Sequence, residues 1–235
     1  MPSKPEIPKK GDLPIYIEVG TRRTFASAVE WPGWSRAGRD EHEAVAALAA
    51  YRDRYSAVVQ PVTPKFTAPK DPTDYRIVKR LKGNAGTEFG IPSLGLPTDG
   101  EPIAAAELER LTRILEACWG AFDRTARSAK GLELRKGPRG GGRDLDKIAA
   151  HVVEAEGAYI AQLGARPPKA ASGHAIRPTD LHDAMLAALH ARARGLPVAE
   201  PRPTKKPWTP RYFVRRVAWH VLDHAWEIED RAIRR

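Results

Sequence analysis

The chain has 235 residues, 42% of them hydrophobic, which fits one large or two ordinary globular domains and excludes a disordered protein. No apolar run reaches the roughly 18 residues of a membrane span, and the charged, proline-rich N-terminus leads into no signal-peptide core. We therefore expect a cytoplasmic protein with no membrane partner. The single cysteine, Cys118, excludes an intramolecular disulfide and a thiolate metal cluster. The net charge of +10 is scattered without a nucleic-acid motif, which disfavours nucleic acid as a partner.

The first 99 residues predict a small α+β domain ending in a proline-rich linker and short strands. Residues 13–19 and 24–30 alternate in hydrophobicity and are rich in β-formers, which predicts a hairpin. One helix is predicted from about residue 39 to Val59, because acidic residues begin it and Pro61 ends it.

Two further short strands are predicted around a glycine-rich turn, at residues 75–81 and 87–91. The expected sheet is small and antiparallel, with one helix. The strand–strand–helix order of residues 13–59, with Trp-Pro-Gly-Trp at 31–34, resembles the antitoxin-type domain HicB. That resemblance implies binding or scaffolding, although the two tryptophans also suit core packing or turn support.

From residue 100 onward the hydrophobic periodicity becomes helical and predicts a four-helix bundle over residues 100–235. Glycine- and proline-rich stretches separate the helices. Their predicted bounds are about 102–129, Asp144 to Leu163, Pro178 to Arg194, and Pro210 to the C-terminus, the last with Thr209 as its cap.

The last helix carries two histidines one turn apart, His220 and His224, in line with Phe213, Val217 and Ile228. Two such imidazoles can bind one divalent metal at about 2.0–2.1 Å. The alternative is a pair of core histidines satisfied by hydrogen bonds.

The second helix of the bundle supplies a third candidate, His151, among apolar and small residues. Three imidazoles that converge inside a bundle leave one position open, as in a catalytic zinc centre. Nickel or ferrous iron accepts the same ligands.

Two stretches, GGGRDLDKIAAHVVEAEGAYIAQLG and RRVAWHVLDHAWEIEDR, resemble the second and fourth helices of the DinB/YfiT-like superfamily of metalloenzymes. The resemblance implies a four-helix bundle with His151, His220 and His224 around a divalent metal, commonly zinc or nickel. It also implies a small-molecule substrate and thiol-dependent transferase or isomerase chemistry. A low-molecular-weight thiol is then the partner, and hydrolysis by metal-activated water is a variant.

Charged residues beside the histidines have two interpretations. Asp223 and Glu227 accept hydrogen bonds from the imidazoles or act as a general base, or else they form a salt-bridged face with Arg216 and Arg231. Arg215 and Arg216 attract an anionic substrate in the functional interpretation. Glu154 and Glu156 allow the same two interpretations, a functional role or a salt-bridged face. Tyr159 and Trp219 either line a pocket or pack in the core.

The other four histidines are predicted to be surface or lightly packed residues: His42, His174, His182 and His190.

Two other functions compete with a metal-dependent enzyme. One is a non-enzymatic, antitoxin-like binding protein that recognises protein or nucleic acid through residues 1–99. The other is a homodimer that forms through an exposed helix face, with a purely structural metal.

Overall fold

The computed structural model describes residues 13–64, 66–136, 142–170 and 175–233. Contacts divide the chain into two compact units, Met1–Leu94 and Gly95–Arg235. The first is α+β and the second is helical, so the α+β class is confirmed. Within the described residues, no helix has the length and apolar character that crossing a bilayer requires.

The first unit contains a four-stranded sheet in the order β3-β2-β1-β4. Its strands are β1 (Leu13–Val19), β2 (Thr24–Ala28), β3 (Ser35–Gly38) and β4 (Tyr75–Lys82). The first three pair antiparallel, but β4 pairs parallel with β1. The expectation of an antiparallel sheet was therefore wrong. The chain returns from β3 through a helical crossover, and such a connection allows a parallel neighbour.

The predicted first helix is two helices, α1 (Glu41–Ala50) and α2 (Arg52–Val59), which meet at Tyr51. The strand predicted at 87–91 is wrong, because those positions belong largely to helix α3 (Ala85–Phe89). The side chain of Asn84 caps α3, and Gly90 ends it at φ +108°, in the left-handed region that favours glycine.

Trp34 forms the centre of the first unit's core, together with Tyr55 and Phe66. Its indole stacks on Tyr55 at 5.2 Å between ring centroids, and its Nε1 donates to the carbonyl of Leu48 at 2.9 Å. Trp31 packs edge-on against Phe66 at 4.4 Å. Both tryptophans thus serve packing, one of the roles that the sequence suggested for them.

The second unit contains helices α4 (Ala105–Ser128), α5 (Leu145–Gln162), α6 (Pro178–Ala193) and α7 (Pro210–Arg231). These agree closely with the four predicted helices, including the Thr209 cap, whose side chain accepts from the Tyr212 amide. α7 contacts each of the other three helices. It buries most of its length, so its histidines lie among packed side chains.

The buried line of α5 includes a glutamate that the sequence did not place in the core. Ile148, Val152, Glu156 and Ile160 are buried, whereas Ala158 is exposed. The prediction omitted Glu156 from the core because a glutamate at that spacing reads as a surface residue.

Candidate metal centre

Three histidines from two helices meet inside the second unit. α7 supplies His220, which is 7% exposed, and the half-buried His224; α5 supplies the half-buried His151. One ring nitrogen from each lies within 4.8 Å of the other two. The ring centroids are 5.2 Å apart for His151 and His220, 5.0 Å for His151 and His224, and 4.6 Å for His220 and His224.

The separation of two of these nitrogens matches metal coordination. His151 Nε2 and His220 Nε2 lie 3.4 Å apart. Two nitrogens at about 2.05 Å from one tetrahedral metal are about 3.4 Å apart. A direct N–H···N hydrogen bond prefers a distance nearer 3.0 Å. The spacing therefore suits a shared cation better than a shared proton.

Glu227 fixes the orientation of His224. The imidazole Nδ1 donates to Glu227 Oε2 at 2.8 Å, which leaves the lone pair on Nε2. Arg231 pairs with the other carboxylate oxygen. Both contacts hold the pKa of Glu227 below its ordinary value, and the hydrogen bond from His224 has the larger effect. A carboxylate behind a histidine is the usual outer support of a metal ligand.

His220 is electrostatically prepared to act as a neutral ligand. The pKa of His220 is lowered to about 2, mainly by burial and then by the neighbouring His224 and His151. Its Nδ1 is buried without a hydrogen-bond partner among the described residues, and its Nε2 faces His151. Buried polar atoms normally have partners, so the unpartnered Nδ1 is a cost to the stability of the metal-free protein.

The pKa of His151 is also lowered, by burial and then by the positive charge of Arg143. All the observations above fit a divalent metal: neutral donors, convergent nitrogens and a carboxylate-oriented imidazole. The cluster of candidate ligands among the described residues holds these three histidines, which is the protein ligand number of a catalytic zinc site.

The two neighbouring arginines have different surroundings. Arg215 pairs with the buried carboxylate of Asp99, with Nε and Oδ1 3.1 Å apart. Arg216 is buried, donates from Nη2 to the Tyr159 hydroxyl at 3.3 Å, and lies 5.0 Å from the Trp219 ring centroid. The ring of Tyr159 is 5.5 Å from that of His220, so Arg216 and Tyr159 adjoin the cluster.

Glu156 and His182 belong to a buried network at the α4–α5–α6 contact. Glu156 accepts from Trp119 Nε1 at 2.6 Å and bonds His182 Nε2 at 3.1 Å. His182 also stacks on Trp119 at 3.9 Å. The prediction that His182 is only lightly packed was wrong, because the unexpected burial of Glu156 gives it a carboxylate partner.

The remaining predicted residues have other surroundings. His190 bonds Thr112 at 2.9 Å, and His42 is exposed in the first unit. His174 lies outside the described residues. Asp223 is half-buried on α7, and Glu154 is exposed on α5.

Two residues of the centre escaped the sequence interpretation as functional groups, Arg231 and Arg143. The spacing of His224, Glu227 and Arg231 along one helix was a usable signal, since steps of three and four place them on one face. For Arg143 the sequence offered no such signal, because this residue follows a glycine-rich stretch whose path the sequence does not determine.

Comparison of the chain with protein-family models, with curated proteins and with solved structures gave no match.

Proposed function

We propose that this protein is a divalent-metal-dependent enzyme of the DinB/YfiT-like type, with one cation held by His151, His220 and His224. The convergence of the three ring nitrogens within 4.8 Å carries the proposal. The packing of α7 against α4, α5 and α6 supports the four-helix-bundle part of it.

Zinc or nickel suits three imidazoles best, and ferrous iron is also compatible. Such a cation would supply Lewis acidity toward a small-molecule substrate, a water or a low-molecular-weight thiol at the position that the histidines leave open. The chemistry we propose is thiol-dependent transfer or isomerisation, with hydrolysis as the variant.

The surrounding side chains have distinct roles in this proposal. Glu227 keeps the proton of His224 on Nδ1, and Arg231 holds Glu227 in place. Because both oxygens of Glu227 are engaged, we assign it to orienting His224 rather than to acting as a general base.

Metal analysis of protein purified without a histidine tag tests the proposal. We expect about one equivalent of zinc or nickel per chain, on the three-ligand pattern of catalytic sites. Anomalous scattering at the metal's absorption edge should place it between the three imidazoles. Protein that retains no metal after incubation with zinc, nickel and ferrous iron would contradict the proposal, as would a metal located elsewhere.

A second candidate function concerns the first unit, for which we propose binding to a polyanion. The edge strand β4 exposes four basic side chains: Arg76, Lys79, Arg80 and Lys82. Arg80 pairs with Glu41. A basic strand edge supports an antitoxin-like binding role, although basic residues also protect sheet edges from aggregation.

A gel shift with a 30-base-pair duplex tests this second function. Replacing Arg76, Lys79 and Lys82 together by glutamine should weaken duplex binding and reduce the salt slope by about 2–3 if each contacts one phosphate. Replacing Arg192 and Arg194 by glutamine should leave the slope unchanged. Equal binding by all variants, or none by the wild type, would rule out a nucleic-acid role for β4.

A further inference from the structure

A short backbone pairing lies beyond the end of α7. Residues 133–135, which follow α4, pair antiparallel with residues 231–233. The amide of Arg135 donates to the carbonyl of Arg231 at 2.8 Å. We call this pairing the terminal bridge. Its segment 133–135 is mostly exposed, so the terminal bridge can be reached from solvent.

The side chain of Arg231 joins the terminal bridge to the support of His224. Its Nε donates to the carbonyl of Arg135 at 2.8 Å, and its Nη2 donates to the carbonyl of Arg143 at 2.9 Å. Its Nη1 donates to Glu227, which in turn accepts from the imidazole of His224. All three nitrogens of one guanidinium are thus engaged. Because this group is planar and rigid, it cannot leave the two carbonyls without disturbing Glu227.

The burial of Arg231 makes these contacts costly to break. The residue is 9% exposed, and a buried guanidinium that loses an acceptor keeps its desolvation cost without the compensating hydrogen bond. With a cation on Nε2 of His224, the Nδ1–H of that imidazole becomes a stronger donor toward Glu227. A more firmly held Glu227 keeps Arg231 in the orientation that also serves the terminal bridge.

We propose that cation binding at the three histidines and formation of the terminal bridge stabilise one another, with Arg231 as the positioning residue that joins them. The inference rests on the proposed metal centre and names how that centre is regulated. Coupling between two sites is reciprocal, so an event that opens the exposed segment 133–135 lowers the affinity for the cation. Loss of an outer partner of a metal ligand weakens metal binding by about 10–100-fold, so we expect a coupling factor of about ten.

Amide hydrogen exchange of the wild-type protein, with zinc and with a chelator, tests the coupling. Zinc should slow the exchange of the Arg135 and Ile233 amides, which both donate across the terminal bridge, about tenfold. The internal control is the amide of Arg166, which donates to the carbonyl of Glu200 at 2.7 Å in a similar pairing beyond the end of α5. Its exchange should not change. Equal slowing of all three amides, or no slowing at the terminal bridge, would overturn the coupling.

A pair of variants at one position tests the reciprocal effect. Arg135→Pro removes the amide that donates to Arg231, and it should lower zinc affinity about tenfold in competition with a chromophoric chelator. Arg135→Ala keeps that amide and should bind zinc as tightly as the wild type. Equal zinc affinity in the two variants would also overturn the coupling, and if the proline variant does not fold, the exchange measurement on the wild type decides. Wild-type protein that binds no zinc would instead overturn the metal centre itself.

Discussion

His220→Leu is expected to reverse the stability order of the metal-free and metal-loaded proteins. Without metal, the variant should exceed the wild type in free energy of unfolding by about 1 kcal/mol, because leucine removes a buried nitrogen that has no hydrogen-bond partner. With zinc at about 100 times the wild-type Kd, the wild type should gain about 2.7 kcal/mol and the variant almost nothing.

His220 should show this reversal best because it is the most buried of the three histidines and adjoins both others. Leucine has a similar volume, so the change tests polarity and ligation more than packing. Urea denaturation followed by circular dichroism, with zinc and with a chelator, gives the four free energies.

His42→Ala serves as the control because His42 is exposed in the first unit. It should leave both the metal-free stability and the zinc-dependent gain unchanged. A His220→Leu protein that zinc stabilises as much as the wild type would show that the metal binds elsewhere.

Glu156→Ala should lower the free energy of unfolding of the second unit by about 3 kcal/mol, a cost typical of breaking a buried charged contact. The side chain is fully buried, and its loss leaves Trp119 Nε1 without its acceptor and His182 without its carboxylate. Glu156→Gln should cost about half as much, since its carbonyl still accepts from Trp119.

Two further measurements, on a control variant and on zinc affinity, test whether the loss of stability comes from the Glu156 network. Glu154→Ala, at an exposed position of the same helix, should change the unfolding free energy by less than about 0.5 kcal/mol. Zinc affinity should persist in Glu156→Ala and Glu156→Gln, because Glu156 does not contact the three histidines in the described structure. A stability of Glu156→Ala equal to the wild type would mean that the network contributes nothing.

Most of what could be predicted about the second unit came from the helical periodicity of its sequence. His220 and His224 share a face with Phe213 and Val217, so their inward direction followed from the spacing and from the apolar residues around them. The N-cap of α7 was predictable for the same local reason, since Thr209 precedes Pro210.

Features that depend on distant partners were not predictable. The sequence gives no reason to bury Glu156, because only the arrival of Trp119 and His182 from two other helices compensates for its desolvation. The parallel position of β4 likewise depends on the crossover path. β3 escaped notice because Ser35–Gly38 has no β-branched or aromatic residue to signal a strand.

The central position of β1 has a consequence for synthesis on the ribosome. β2 and β3 emerge soon after it and can pair at once, but its other edge is filled by β4, some sixty residues later in the chain. Until Tyr75–Lys82 leaves the exit tunnel, a strand containing Ile15 and Ile17 keeps one side unpaired and open to other nascent chains. Slow translation between α2 and β4 would therefore favour misassembly of the first unit, whereas the second unit folds from elements made entirely afterwards.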